Sequence, residues 1–288
     1  MSLLSISIAP PDAVLRLVRL LQTLSPMPRV WGTYHVLMLA VAVFAVYLLW
    51  RYGRDASDHT FRVIVGTIWG VLVLFEVLKQ GVSSSFIVAD RLVLAYPWSI
   101  FPFQLCSTPF YILPFVAFWR DGFLRRACMA YSATFALFGG LIVLLTPASV
   151  FSITYFGNIQ TMVHHILQMA VGVYIAVHER YEMRFWQLFG GCGVFLFLLG
   201  TAVHLNERMH VYLLEKGIST TFNMFFISPY HPSPIAPVNT WYDRLSALGI
   251  AFFYALGLSV MAFAVFFVLQ MAARAYDTIE RNARPSRR

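Results

Sequence analysis

Runs of about 18 or more apolar residues recur along this chain, and each is long enough to cross the hydrocarbon core of a bilayer. Lipid offers no hydrogen bonds to a peptide backbone, so such segments must close their own as helices. The pattern predicts an all-α polytopic membrane protein, a bundle of about seven transmembrane helices with an N-terminal interfacial helix. The spans are expected near Tyr34–Trp50, Phe61–Gln80, Trp98–Trp119, Ala127–Leu145, Gln160–His178, Phe185–His204 and Leu245–Met271. Composition agrees: 59% of residues are hydrophobic and 12% charged, outside the range of soluble domains.

The chain divides into three parts. Residues 1–30 form an amphipathic, interfacial segment. Within it Asp12–Leu24 carries Ala13, Val14, Leu17, Leu20, Leu21 and Leu24 at helical spacing, with Arg16 and Arg19 opposite. It is too short to span. Met1–Pro11 lacks the basic start and long apolar stretch of a secretory leader. Residues 31–271 hold the spans, with an outer loop over 206–244. Residues 272–288 form a basic tail.

The net charge of +8 does not point to nucleic acid, because the basic residues sit in short loops and the tail. There they orient the chain. Thirteen Lys and Arg fall on one side, among them Arg54, Arg62, Arg125, Arg180, Arg184, Arg284, Arg287 and Arg288, and eight on the other. The richer side is expected in the cytoplasm, which puts the N-terminus outside and the C-terminus inside. Cys106, Cys128 and Cys192 all lie in apolar runs, which argues against a disulfide framework.

Polar residues inside the spans carry the functional signal, because such groups are costly in lipid unless they face a partner or a cavity. Spans alternate in direction, so depth can be assigned. Glu76, Lys79 and Gln80 close the second span. Gln104, Cys106, Ser107 and Thr108 open the third, Gln160, Thr161, His164 and His165 open the fifth, and Thr201, His204 and Asn206 close the sixth. All fall at the outer end, whichever side is truly outside. Glu76 and Lys79, three apart, share a helix face and are expected to pair. Asn158, Thr161, His165 and Gln168 make one stripe on span five, with His164 about 100° away. Gln104, Ser107, Thr108 and Tyr111 make another on span three; Cys106 lies roughly 160° round an ideal helix from Gln104, a phase that Pro102 and Pro109 can alter. Gly139–Gly140, Gly190–Gly191 and Gly193 are expected to allow close helix packing. The outer loop holds Asn223–Met224–Phe225–Phe226–Ile227–Ser228–Pro229 and then Pro232, Pro234 and Pro237. Its aromatic content suits a lid packed onto the membrane face.

These residues carry a resemblance. Phe101–Pro102–Phe103–Gln104–Leu105–Cys106 resembles the Leu-Pro-(Leu/Phe)-His-Leu-Cys segment of the YwaF-like family of bacterial integral membrane proteins. Glu76 with Lys79, His164–His165, and Asn223 to Pro229 look like further motifs of that family, in the same order, over roughly Phe61 to Tyr242. The resemblance implies a seven-span fold in a bacterial cytoplasmic membrane. A eukaryotic transmembrane lipid acyltransferase looks like a distant relative, similar in turn to androgen-induced-gene type lipid hydrolases that pair an intramembrane threonine with a histidine. By that likeness Cys106 is the candidate nucleophile and His165 the candidate base. Gln104 stands where a histidine is commoner.

Two functions are therefore expected to compete. One is transfer or hydrolysis of lipid acyl groups. A thiol has a pKa near 8.5 in water, so it needs a base to attack an ester. His165 is of the right type, with Gln104, Asn206 or Asn223 as oxyanion donors and Thr108 as a reserve nucleophile. The other is a transporter, channel or receptor for a small polar solute, with Glu76, Lys79 and His164 lining its site. A metal held by His164, His204 and Cys106 matches no known ligand spacing. Neither metal nor cofactor is expected. The expected partners are membrane lipids, including a lipid substrate.

Overall fold

The computed structural model describes residues 6–178, 185–235, 238–242 and 244–283. Arg180, Arg184, Pro237 and the last residues of the tail, with Arg284, Arg287 and Arg288, lie outside them. The chain is mostly helical, 72%. Nine α-helices are described: α1 (Asp12–Leu21), α2 (Thr33–Gly53), α3 (Asp58–Ser83), α4 (Pro109–Ala117), α5 (Phe123–Tyr131), α6 (Leu137–Leu145), α7 (Tyr155–His178), α8 (Phe185–Glu215) and α9 (Ala247–Ala283). Among the described residues, five helical stretches are long and apolar enough to cross a membrane: Thr33–Gly53, Asp58–Ser83, Phe123–Leu145, Phe185–Glu215 and Ala247–Tyr276. Leu105–Ala117 is a shorter apolar helix. At 24 residues α7 is long enough, but Asn158, Gln160, Thr161, His164, His165 and Gln168 dilute its apolar character. It tolerates them because it runs through the middle of the bundle, packed by α2, α3 and α6.

The third expected span is not one helix. It consists of single turns at Trp98–Ile100 and Leu105–Ser107, then α4. Proline explains the first break. A residue before proline is pushed out of the helical region, and Phe101, before Pro102, has φ −50° and ψ 130°. Gln104 is likewise extended. The stripe from Gln104 to Tyr111 therefore does not form as a helical face. Each proline also leaves a carbonyl without its helical donor, and neighbours supply one. Leu105, four before Pro109, is served by the Thr108 hydroxyl at 2.7 Å. Phe110, four before Pro114, is served by the Trp69 indole at 3.0 Å.

A π-helical turn, Ser132–Ala136, joins α5 to α6. Ser132 and Thr134 donate back to the carbonyls of Cys128 (2.8 Å) and Ala130 (2.6 Å). Gln168 donates from α7 to Ala136 at 2.8 Å. Gly172 lets α7 approach this turn: a methyl there would lie 2.7 Å from Leu137 Cβ and from the Ser132 carbonyl. Gly140 is similarly close to the backbone of His165 and Met169, and Gly191 to that of Tyr131. Gly193 has no atom within 4 Å of such a methyl, so the expectation of close packing fails there.

A small sheet was not expected. β2 (Ser85–Val88) and β3 (Arg91–Leu94) form a hairpin, and β1 (Ile6–Ile8) pairs with the other edge of β3. The sheet lies at the end of the bundle where α3 finishes. Gln22 ties α1 to it through the Ser85 carbonyl at 2.6 Å, and Asn158 meets Ser25 at 3.1 Å. Helix α1 forms as expected but ends at Leu21. At the opposite end, Asp58 joins Arg62 (2.6 Å) and Arg125 (2.8 Å), Asp121 bridges the same two arginines, and Arg54, just after α2, meets Tyr276 of α9. Helix α8 runs past His204 to Glu215, so Asn206 sits on a helix rather than opening the loop.

Candidate functional site

The outer polar groups meet where the broken third segment crosses α3 and α7. Glu76 and Lys79 pair at 2.8 Å on α3. Gln80, one turn on, donates to Glu76 at 2.5 Å and to the Ile100 carbonyl at 2.8 Å, tying the pair to the first break. The Cys106 side chain lies within electrostatic reach of both Lys79 and Glu76 and interacts with Ser107.

The two adjacent histidines do different things. His164 Nε2 bonds the Cys106 carbonyl at 2.8 Å. A carbonyl only accepts, so this nitrogen carries the proton and Nδ1 holds the lone pair. His165 Nδ1 bonds the Thr161 carbonyl at 2.6 Å, one turn back on its own helix. The same reasoning leaves the lone pair on Nε2. The rings sit 5.1 Å apart, edge to face. Both bare nitrogens are buried without a hydrogen-bond partner among the described residues, as are Gln104 Oε1 and Gln168 Oε1. Gln168 and Leu105 both lie against Gly139, which places Gln168 beside the turn that carries Cys106. All four orphaned atoms are acceptors. A buried acceptor without a donor costs roughly 1–3 kcal/mol, so the site calls for a ligand, water or reacting group that brings protons.

The expected oxyanion donors are already engaged. Gln104 Nε2 donates to the Asn223 carbonyl at 2.8 Å. Asn206 donates to the Met224 carbonyl and accepts from its amide. Asn223 donates to the carbonyls of His231 and Pro232 and accepts from the Ser228 amide at 2.8 Å. The geometry gives Asn206 and Asn223 the work of shaping the loop. Met224 and Phe225 are fully buried, and Phe225 rests on Phe103 at 5.9 Å. The segment plugs the bundle over Phe101–Gln104 rather than lying on its surface.

Thr108 is also committed. It donates to Leu105, so the Tyr131 hydroxyl must donate to it, at 2.7 Å. Tyr131 and Tyr254 both lie within electrostatic reach of Cys106. Neither tyrosine was picked out from the sequence, since each is one hydroxyl in an apolar run. His204 is exposed on α8, and the set His164, His204 and Cys106 does not assemble. Among the described residues no group of three or more His, Cys, Asp or Glu could hold a metal.

Fold and site together define a polytopic helical membrane protein with a cluster of buried polar groups at one end. The chain matches the TMEM164 family over residues 30–270 and belongs to that transmembrane family. The match takes in α2 to α8 and most of α9, and leaves out α1 and β1. The family so matched differs in name from the one the motifs resemble; membrane character is common to both. No curated protein and no solved structure matches the chain.

Proposed function

We propose that this protein transfers or hydrolyses acyl groups of membrane lipids, with Cys106 as nucleophile and His165 as base. The observation that carries the reading is the division of labour between the histidines. His164 holds the residue that bears the thiol, and its own lone pair, on the far side of the ring, points away from Cys106. His165, edge to face with it, keeps Nε2 bare. In the first step Cys106 Sγ bonds the ester carbonyl carbon and its proton passes to His165 Nε2. The tetrahedral oxyanion collapses, the C–O bond breaks, and the leaving alcohol takes the proton from His165. A second alcohol or water then attacks the thioester and gives its proton to His165; the C–S bond breaks, and the released Cys106 thiolate takes that proton back. Lys79, whose charge reaches Cys106, is the cation the site offers to the oxyanion. Gln104 holds the loop over the site.

The reading includes seven crossings, with the third made by the turn-and-helix segment Trp98–Ala117 and the fifth by α7. It also includes residence in a cytoplasmic membrane, and an N-terminus outside, the orientation that the Lys and Arg asymmetry supports.

Labelling with a lipid-like electrophile tests the chemistry. Cys106 should react and Cys106→Ser should not, while Cys106→Ser and His165→Ala each abolish acyl transfer in folded, inserted protein. Full activity in Cys106→Ala would end the proposal. The four orphaned acceptors would then favour the second reading, a site for a small solute rich in hydrogen-bond donors.

A further inference from the structure

An apolar groove of about 500 Å³ runs between α4, α5 and α8. Ile112 and Phe115 form one wall, Leu124 and Cys128 the second, and Phe189 and Phe197 the third. Among the described residues no charged side chain lines it. Gly193 lines the groove and puts no side chain into it. Glycine within a helix costs about 1 kcal/mol relative to alanine, and no neighbour requires it here, since an added methyl meets no atom within 4 Å. Gly190, also on the lining, differs: its added methyl would lie 3.0 Å from Ala127 Cβ. One glycine lets helices touch; the other leaves space.

The groove ends one helical turn from residues of the candidate site, with the buried Thr108–Tyr131 pair between them. On α4, Ile112 lies one turn beyond Thr108. On α5, Cys128 lies one turn before Tyr131. Thr108 and Tyr131 bond each other at 2.7 Å, and Tyr131 is within electrostatic reach of Cys106. At the far end Phe123 and Trp186 stack at 6.3 Å. We propose that this groove holds the long acyl chain of the lipid whose ester lies at Cys106. The proposal rests on Cys106 being the nucleophile. The groove's volume falls in the roughly 300–1,000 Å³ range of small-molecule sites, and its apolar lining offers nothing to a polar solute. At 1.5 Å per residue Phe115 lies roughly 10 Å beyond Thr108, so a short chain would end before it.

The full-length protein in lipid nanodiscs provides the test. Chloroacetamide probes with butyl and hexadecyl chains are compared by their rate of reaction at Cys106, read by peptide mass spectrometry. The hexadecyl probe should react faster by about tenfold or more, because it concentrates in the bilayer and only its chain is long enough to pass Phe115. Gly193→Leu should lower that ratio at least severalfold. Gly200→Leu, on the same helix, equally free of neighbours and outside the groove, should leave it unchanged. An unchanged ratio in Gly193→Leu overturns the groove. A second measurement separates the groove from the chemistry. Cys106→Ala protein is irradiated with a phosphatidylcholine carrying a diazirine at the chain end. Crosslinks on the peptides of Phe115, Cys128 and Phe197, lost in Gly193→Leu, support the groove even if Cys106 reacts with neither probe. Absence of crosslinks there overturns it.

Discussion

Asn206 holds both main-chain polar groups of Met224: its Nδ2 donates to the carbonyl at 3.0 Å, and its Oδ1 accepts from the amide at 2.7 Å. The next two residues, Phe225 and Phe226, both have φ of 56°. Bulky side chains resist that conformation, at roughly 1–3 kcal/mol each, so the turn persists only where something fixes it.

Asn206→Ala should therefore destabilise the protein by about 1–3 kcal/mol, the cost of orphaning the Met224 amide, since the Met224 carbonyl keeps the Ile227 amide as a donor. Asn206→Asp keeps the acceptor, loses the donor and should also unfold earlier. Thermal unfolding in detergent measures both; an unchanged midpoint in the alanine variant would show the clamp to be idle.

Glu76 and Lys79 should couple. In a double-mutant cycle with Glu76→Gln and Lys79→Met, an interaction of about 0.5 kcal/mol or more is expected. Simple additivity would mean that the 2.8 Å contact adds nothing to stability.

The histidines should separate by conservative rescue. His164→Ala should slow reaction at Cys106, and His164→Gln should restore part of it, because an amide can still donate to the Cys106 carbonyl. His165→Gln should not rescue His165→Ala, since a base worth roughly 10²–10⁴-fold is missing in both. Equal rescue at the two positions would contradict the assignment.

The outer loop should loosen in acid. Burial, and then the charge of His210, hold His231 below its ordinary value of 6.5. The folded loop thus binds fewer protons than the unfolded one between the two values. Stability is full above 6.5 and is lost as pH falls through the lower, folded value. Proteolysis of the loop should speed up from pH 7.5 to pH 5, and His231→Asn should flatten the change.

A reporter active only in the cytoplasm, fused after Arg288, should give signal, and the same reporter at the N-terminus should be silent. The reverse pattern would invert the orientation.

The meeting of Glu76, Cys106 and His164 at one end was legible because alternation of the spans fixes depth without any contact being known. The breaks in the third segment were only half legible. Pro102 and Pro109 announce a disturbance, but which neighbours repair the freed carbonyls depends on packing between α3, α4 and α7. The hairpin was hidden because its turn, Ala89–Asp90, takes φ of 48° and 56° without the Asn-Gly pair that usually marks such a turn. The plug was hidden for the same reason: nothing in two phenylalanines predicts positive φ. That Asn206 and Asn223 shape the loop could not be told apart from a role in binding, because an amide serves either end.

The π turn at Ser132–Ala136 sets the angular phase of all of α6. One extra residue in a helix rotates the remainder of that helix by about 100°. Gly139 and Gly140 face Gln168 and His165 only with that rotation included. Deleting a single residue from 132–136 would leave a regular helix of good composition, yet turn larger side chains toward α7 where only glycine fits. A one-residue deletion here should therefore damage the protein more than many substitutions at the same positions, and a compensating insertion before Leu137 should repair it.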